Sequence, residues 1–324
     1  MHDTISIGNA TQDVFVEISK KYAKREVCFL PGQKIEIEGI HYFTGGGAMN
    51  SAASFSRMGL KAAILCAIGN DPAGKAVGES LAKEKISKEL AVRAKKDTAY
   101  SVILTGFGKD RVILAYGGAT ASIDEKNIRW KKLKAKWIHI SSLHRDYMLA
   151  EKICVFAKKN GVKVAINPGK LELAAGLKRL EKTFRNADVL FLNESEALGL
   201  TGKADIERNL AELQKYCATV VITAGPKGAY AFDGEFFYYK DALPVEVVDA
   251  TGCGDAFNSG FVAALCYGKG IEDALLWGTA QANSEITAIG TKTVLLKKGQ
   301  INKFLGKFRD GFKVEKKPHN CSPS

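Results

Sequence analysis

No stretch of the sequence reaches the roughly 18 consecutive apolar residues that a membrane helix needs. The opening residues, Met1-His2-Asp3-Thr4, carry neither a basic region nor a long apolar run. No secretory leader is therefore expected, and the expected location is the cytoplasm, away from any membrane. Cys-x-x-Cys is also absent. The seven cysteines (28, 66, 154, 217, 253, 266 and 321) are odd in number and scattered, which argues against a disulfide framework or a zinc site. Cys66, Cys154 and Cys266 stand in apolar surroundings and read as core. Internal repeats and low-complexity tracts are missing. So is the dinucleotide fingerprint G-x-G-x-x-G: in Gly45-Gly46-Gly47-Ala48-Met49-Asn50 an asparagine stands where the third glycine belongs.

What is present is enough for a large core. The chain has 324 residues, 46% of them hydrophobic, and α/β folds of this length often form one unit. The formal net charge of +12 admits nucleic-acid binding. The basic residues, however, are spread over many predicted helices, which favours a solvated surface that also attracts anionic ligands. No nucleic-acid partner is expected. The densest cluster, Lys131, Lys132, Lys134 and Lys136, reads as an exposed helix end before an apolar strand.

Short apolar runs alternate with helical patterns. Strands are expected over Thr4–Gly8, Ala62–Ile68, Trp137–Ile140, Lys163–Ile166, Val189–Leu192 and Val220–Thr223. Helices are expected over Asn50–Met58, Ala73–Glu84, Met148–Asn160, Glu194–Gly199 and Ile206–Lys215. This rhythm predicts an α/β fold of three layers with a mostly parallel central sheet. Four runs break it with period-two alternation: Val14–Ile18, Ile35–Ile40, Tyr100–Leu104 and Arg111–Tyr116. They predict a small β-sheet lid, its strands within 13–44 and 97–119, on a domain spanning 1–313. Residues 314–324, poor in apolar side chains, read as a flexible tail.

Asp249-Ala250-Thr251-Gly252-Cys253-Gly254-Asp255 precedes an apolar helical run, Ala256–Tyr267. Glycines at a helix start let the backbone approach a ligand, and the free N–H groups favour an anion. Asp255, in the first turn, either serves the helix dipole or takes a proton from an attacking hydroxyl. Gly45–Gly47 opens a second helix and reads as a tight turn on its own. Gly69-Asn70-Asp71-Pro72-Ala73-Gly74-Lys75-Ala76 follows the phosphate-loop pattern up to its last position, where Ala76 stands instead of the hydroxyl residue that would hold Mg²⁺.

Taken together, these segments resemble the ribokinase-like (PfkB) family of carbohydrate and nucleoside kinases, over about Ile5 to Lys298. D-A-T-G-C-G-D-A-F (249–257) is similar to the family's C-terminal signature, and G-G-G-A-M-N-S-A-A-S-F-S-R-M-G (45–59) to its N-terminal one. I-G-N-D-P-A-G (68–74), N-E-S-E (193–196) and V-I-T-A-G-P-K-G (221–228) follow in family order. The first of these three accounts for the phosphate-loop likeness.

The resemblance implies an ATP-dependent phosphotransferase acting on a sugar hydroxyl, with ATP as co-substrate and Mg²⁺ as cofactor. It implies Asp255 as base and the Gly252, Cys253 and Gly254 amides as the anion hole. Asp13, Gly45, Gly46 and Asn50 would hold the acceptor. Asn193, Thr223, Gly225 and Gly228 would line the nucleotide site, and Glu196 would organise Mg²⁺ through water. Asp249, Thr251, Glu285 and Gly290 match a monovalent-cation site for K⁺. Four departures stand out: Cys253 replaces a usual alanine, Asn9 a frequent aspartate, Ala288 a frequent arginine, and Asn167-Pro168-Gly169 stands in place of the longer polar motif of some subfamilies, which leaves the choice of substrate open. Nucleoside kinase is the alternative of the same fold, with Phe15, Tyr42 and Phe43 available to stack on a base. A non-catalytic ligand-binding regulator is the alternative of another class. The lid is expected to close on the acceptor and to pair with a second copy as a homodimer. Cys253, at a helix N-terminus, is expected to favour the thiolate.

Overall fold

The structure is a computed structural model, and the residues described are 1–19, 31–107, 110–143 and 146–319. Among them the strands are β1 (His2–Ile7), β2 (Thr11–Ile18), β3 (Ile37–Gly45), β4 (Ala62–Leu65), β5 (Ala67–Ile68), β6 (Val92–Arg93), β7 (Ala99–Phe107), β8 (Asp110–Tyr116), β9 (Ala135–Ile140), β10 (Lys163–Ile166), β11 (Val189–Asn193), β12 (Thr219–Thr223), β13 (Ala229–Phe232), β14 (Phe236–Lys240) and β15 (Glu315–Pro318). The main sheet runs β15-β14-β13-β12-β11-β10-β9-β1-β4. It is parallel from β4 to β12 and antiparallel beyond.

Short runs of Val, Ile and Ala form these parallel strands because both faces are covered. One face buries Ile5, Ile7, Ile138, Leu149, Ile153, Phe184 and Leu213. The other buries Phe55, Phe191, Phe257, Phe261 and Trp277. Helix Gly47–Arg57 lies on the second face and is buried along most of its length by small residues. Ser51 Oγ donates to Ser6 Oγ at 3.0 Å, so helix and strand meet with no large side chain between them. The long helices Cys253–Cys266 and Ile271–Glu285 cross at a glycine pair. A Cβ on Gly260 would lie 2.6 Å from the Trp277 carbonyl oxygen, and one on Gly278 would lie 2.9 Å from that of Phe257.

The four alternating runs form a separate sheet, β3-β2-β7-β8, as expected. Residues 20–30, inside the expected lid segment 13–44, lie outside the described residues. The register puts Asp13, Phe43 and Ser101 on one face, with Phe15 and Ile103 beside them. Tyr42, Val14, Val102 and Leu114 share the other face, with Ile40, Val16, Leu104 and Val112. On that second face Tyr42 is 64% and Leu114 56% exposed.

Several expectations need correction. The run Ala62–Ile68 splits at Cys66: β4 joins the main sheet, while β5 pairs with β6 apart from it. The hairpin β13–β14 was not among the expected strands. Residues 315–318 do not fray, although they fall in the expected tail; they pair antiparallel with β14. Edge pairing needs backbone rather than apolar side chains, and the Lys316 ammonium sits 4.1 Å from the Phe236 ring centroid. Residues 320–324 of that tail lie outside the described residues. The lysine cluster is exposed, but only Trp130–Lys132 form a helical turn, of the 3₁₀ kind, and Lys136 is on β9 paired with Asp3 at 2.8 Å.

Residues 69–75 form no phosphate loop. Asp71 caps helix Pro72–Lys83, accepting from Gly74 N at 2.7 Å and from the N and Oγ1 of Thr98, each at 2.7 Å. The loop is thereby clamped to the root of β7, and the Lys75 side chain points outward, 81% exposed.

Candidate active site

In a parallel α/β sheet, ligands gather beyond the carboxyl ends of the strands. Gly8 follows β1, Ser141 follows β9, Asn193 ends β11 and Thr223 ends β12, so one rim collects the expected site residues.

Helix Cys253–Cys266 begins at this rim. Gly252 is its N-cap with φ +80°, a left-handed conformation that disfavours a side chain. A Cβ there would also strike the Thr291 side chain at 2.9 Å. Asp255 in the first turn accepts a hydrogen bond from Asn50 Nδ2 at 2.8 Å through its Oδ2. Asn50 is oriented in turn, because its Oδ1 accepts from Thr291 Oγ1 at 2.8 Å. The other oxygen, Oδ1, faces Gly47, where a Cβ would come within 3.2 Å. The glycine thus leaves one oxygen of Asp255 approachable. Burial raises the Asp255 pKa above the usual carboxylate range, Asn50 and the charge of Lys292 oppose the rise, and Asp13 adds to it.

Asp13 on β2 is buried and accepts from Thr11 Oγ1 at 2.9 Å. Burial raises its pKa as well, against hydrogen bonds from Thr11 and Ser101 and the charge of Lys292. Gly45 is required beside it, since a Cβ would lie 1.9 Å from Asp13 Oδ2. Gly46, φ +91°, caps helix Gly47–Arg57, and a Cβ on it would strike the Asn9 carbonyl at 2.6 Å. Asp13, Gly45, Gly46, Asn50 and Asp255 therefore form one connected floor.

Asn193 and Glu196 make a capping box at the start of helix Glu194–Thr201. Glu196 N donates to Asn193 Oδ1 at 2.8 Å, and Asn193 N donates to Glu196 Oε2 at 2.9 Å. Gly225 (φ +55°) and Gly228 (φ +96°) shape the turn after Thr223. A Cβ on Gly228 would be 2.1 Å from the Lys240 carbonyl oxygen.

Three of the four residues matched to a cation site are joined by hydrogen bonds. Asp249 Oδ1 accepts from Thr251 N and Oγ1 at 2.9 and 2.6 Å, and Gly290 N approaches its Oδ2 at 3.4 Å. Arg111 of the lid stands 3.9 Å from Asp249. The Glu285 side chain turns elsewhere: its fully buried carboxyl feels Arg57, Lys292 and the backbone of Thr293 and Val294, and burial pushes it up to about 7, while the carbonyl of the next residue, Ile286, accepts from Asp249 N at 3.2 Å. Among the described residues no group of three or more His, Cys, Asp or Glu could hold a metal ion.

Cys253 overturns its expectation. Burial first, then the charges of Asp255 and Asp249, raise the thiol pKa rather than lower it. Burial, the largest cause, outweighs the lowering by the Gly254 amide at the helix start and by Arg111. Sequence reasoning also missed Thr291, Lys292 and Arg111, which no motif marks.

The chain matches the family model for pfkB family carbohydrate kinase over residues 2–298. It is 26% identical over 284 residues to a ribokinase of Haemophilus influenzae, covering 85% of this chain and 91% of that one. It is 24% identical over 304 residues to a nucleoside kinase of Methanothermobacter thermautotrophicus, covering 93% and 94%. The structure of Arabidopsis thaliana ribokinase complexed with ribose and ATP superposes with a TM-score of 0.81 at 22% identity, covering 94% of this chain and 98% of that one, a likeness of fold.

Proposed function

Because the chain belongs to the pfkB family of carbohydrate kinases, we propose that it moves the γ-phosphate of ATP to a hydroxyl of a sugar, with Asp255 as the general base. The observation that carries this reading is the Asn50–Asp255 hydrogen bond of 2.8 Å, which joins the two glycine-rich helix starts and leaves Oδ1 of the base open. The acceptor hydroxyl gives its proton to Asp255 while its oxygen bonds to the γ-phosphorus. The bond from that phosphorus to the β–γ bridging oxygen breaks, and ADP leaves. The amides at Gly252, Cys253 and Gly254 face the charge on the transferring group.

Asp13, Gly45, Gly46 and Asn50 hold the acceptor. Asn193, Thr223, Gly225 and Gly228 line the nucleotide side. Mg²⁺, when bound, neutralises phosphate charge. The donors present suit it through water: Glu196 has one oxygen taken by its capping box, and no described cluster offers direct ligands. A K⁺ ion beside the hole would rely on the segment around Asp249, Thr251 and Gly290, without the Glu285 carboxyl.

A nucleoside acceptor is the second reading. Phe43, half-buried on the lid face that carries Asp13, is the ring open to a base, with buried Phe15 supporting it edge to face at 5.4 Å. The exposed apolar residues of the opposite face, Tyr42, Leu114, Tyr116, Ile40 and Val112, support a homodimer through the lid, because a monomer rarely leaves such a patch bare. Sedimentation as a monomer at micromolar concentration would overturn the dimer. Phosphoryl transfer from ATP with Mg²⁺ across sugars and nucleosides tests the activity, and no turnover with any of them would overturn the kinase reading.

A further inference from the structure

Two consecutive residues, Gly290 and Thr291, join the lid to both glycine-rich helix starts. A Cβ on Gly290 would lie 2.9 Å from both Cδ1 and Cε1 of Phe43, so only glycine leaves room for that ring. Gly290 N approaches Asp249 Oδ2 at 3.4 Å, and Asp249 Oδ1 holds the N and Oγ1 of Thr251. Thr291 is buried, and a Cβ on Gly252, the N-cap of helix Cys253–Cys266, would strike its Cβ and Cγ2 at 2.9 Å. Thr291 Oγ1 donates to Asn50 Oδ1 and Asn50 Nδ2 donates to Asp255 Oδ2, each at 2.8 Å. The loop is braced from outside. Thr293 Oγ1 donates to the Ile289 carbonyl at 2.7 Å, and Arg57 Nη1 donates to the Lys292 carbonyl at 2.5 Å.

Phe43 is the lid's side of this junction. It stands opposite Asp13 in the β2–β3 ladder, and Gln12 Nε2 donates to its carbonyl at 2.7 Å. Phe15 backs the ring edge to face at 5.4 Å. Residues directly opposite in an antiparallel pair are neighbours on one face, so Asp13 and Phe43 move as one piece. An acceptor bound to Asp13 therefore fixes the lid where Phe43 rests on Gly290. The next two contacts, Phe43 on Gly290 and Thr291 on Gly252, each lack space for a methyl group. Close-packed contacts of this kind pass a displacement on rather than absorb it. The path ends at the proposed anion hole on one branch and at the proposed base, through Asn50, on the other.

We propose that Phe43 is a positioning residue for phosphoryl transfer: its ring seats Gly290, and with it the turn at 249–252, so that an acceptor held by Asp13 and a nucleotide at the hole bind cooperatively. This rests on the kinase reading above. It gives the lid a second task besides covering the acceptor, which is to set the far side of the site where the phosphoryl group lies. The coupling is reciprocal: the acceptor tightens the nucleotide by the same factor as the nucleotide tightens the acceptor.

The test uses the full chain with Mg²⁺. Turnover of ATP with D-ribose, D-fructose and cytidine identifies the best acceptor probe. Calorimetry then measures the Kd of the non-hydrolysable analogue AMP-PNP without that acceptor and with it at saturation. In wild type the acceptor should tighten AMP-PNP by about 5- to 150-fold, the usual span of coupling between two sites. Phe43→Ala should bring this ratio below about twofold, while the Kd of AMP-PNP alone stays within about twofold of wild type. Its kcat with both substrates saturating should fall by about 10- to 100-fold, the cost of a misplaced transfer geometry. Phe43→Leu, which keeps an apolar side chain against Gly290, should give a ratio between those of wild type and Phe43→Ala. A lower melting temperature or a higher acceptor KM, with the ratio and kcat left at wild-type values, would make Phe43 a packing or acceptor-contact residue and overturn the inference. If Phe43→Ala does not fold, Phe43→Leu takes its place, and a wild-type ratio near one overturns the inference whatever the variants do. Turnover with an uncoupled wild type brings down this inference alone. Turnover of no probe at all brings down the kinase reading, and the inference with it.

Discussion

Gly45→Ala isolates the acceptor site from the rest of the enzyme. The added methyl carbon would lie 1.9 Å from Asp13 Oδ2 and 3.1 Å from its Cγ. Ordinary contact begins near 3.4 Å, so the carboxylate must move by well over 1 Å or the turn must open. Gly45 does not sit at positive φ, so alanine meets no backbone penalty, and the damage stays local. Overpacking of this kind costs about 1–3 kcal/mol of stability. The functional cost is larger relative to its scale. Hydrogen bonds to a charged group contribute about 1.5–3 kcal/mol each, so displacing Asp13 should raise the acceptor KM by about 10- to 100-fold. The KM for ATP should be nearly unchanged, because Thr223 ends β12 and Gly225 and Gly228 shape the turn after it, away from Gly45. Steady-state kinetics with each substrate varied, beside a thermal melt, reads this out. The decisive control is Asp13→Ala: adding Gly45→Ala to it should cost little further, since the clashing oxygen is gone. A Gly45→Ala enzyme with wild-type acceptor KM would refute the argument. So would a Gly45→Ala penalty that persists in full on the Asp13→Ala background.

Three further outcomes are expected. Asp255→Asn should lower kcat by about 10²–10⁴ with ATP affinity little changed; because burial raises the Asp255 pKa and the ionised form is the base, wild-type kcat should fall toward acid at a pH above the ordinary carboxylate range, and a flat profile through that range would count against the assignment. Glu285 has an unperturbed pKa of 4.5 and is held at about 7 in the fold. The folded state therefore binds the extra proton, stability is fully present below pH 4.5, and about 3 kcal/mol is lost as pH rises through 7. Urea unfolding of wild type at pH 5 and pH 8 should show this loss and Glu285→Gln should remove it, whereas equal slopes for the two proteins would contradict it. Cys253 should alkylate slowly at neutral pH because its thiol is held up in pKa, so fast inactivation that MgATP prevents would overturn this.

Much of the architecture was legible because period carries burial. Alternation in Val14–Ile18 and Tyr100–Leu104 marked a sheet with two unlike faces, and uninterrupted runs such as Val189–Leu192 marked strands covered on both sides. The two glycine-rich helix starts were legible for the same reason: Gly252 at φ +80° and Gly46 at φ +91° are positions that other residues rarely occupy. What stayed hidden has no local signature. The pairing of residues 315–318 with β14 depends on an open edge far away in sequence. The thiol of Cys253 answers first to its burial, which the sequence around it does not reveal. Arg57 is an ordinary basic residue in the sequence and acquires meaning only through Glu84 in space.

The proposed base and the proposed anion hole share one helix, and that helix is pressed onto its neighbour at Gly260 and Gly278 with no room for a methyl group. The separation between proton acceptor and phosphoryl cradle is thus an internal dimension of a single rigid part. The proposed acceptor contacts, Asp13, Gly45, Gly46 and Asn50, come instead from β2, β3 and helix Gly47–Arg57, which are different parts. The two sets of parts meet at the hydrogen bond from Asn50 to Asp255. A lineage can exchange one acceptor for another by editing a few positions in a small sheet and a loop, while the glycine crossing preserves the machinery of transfer unaltered.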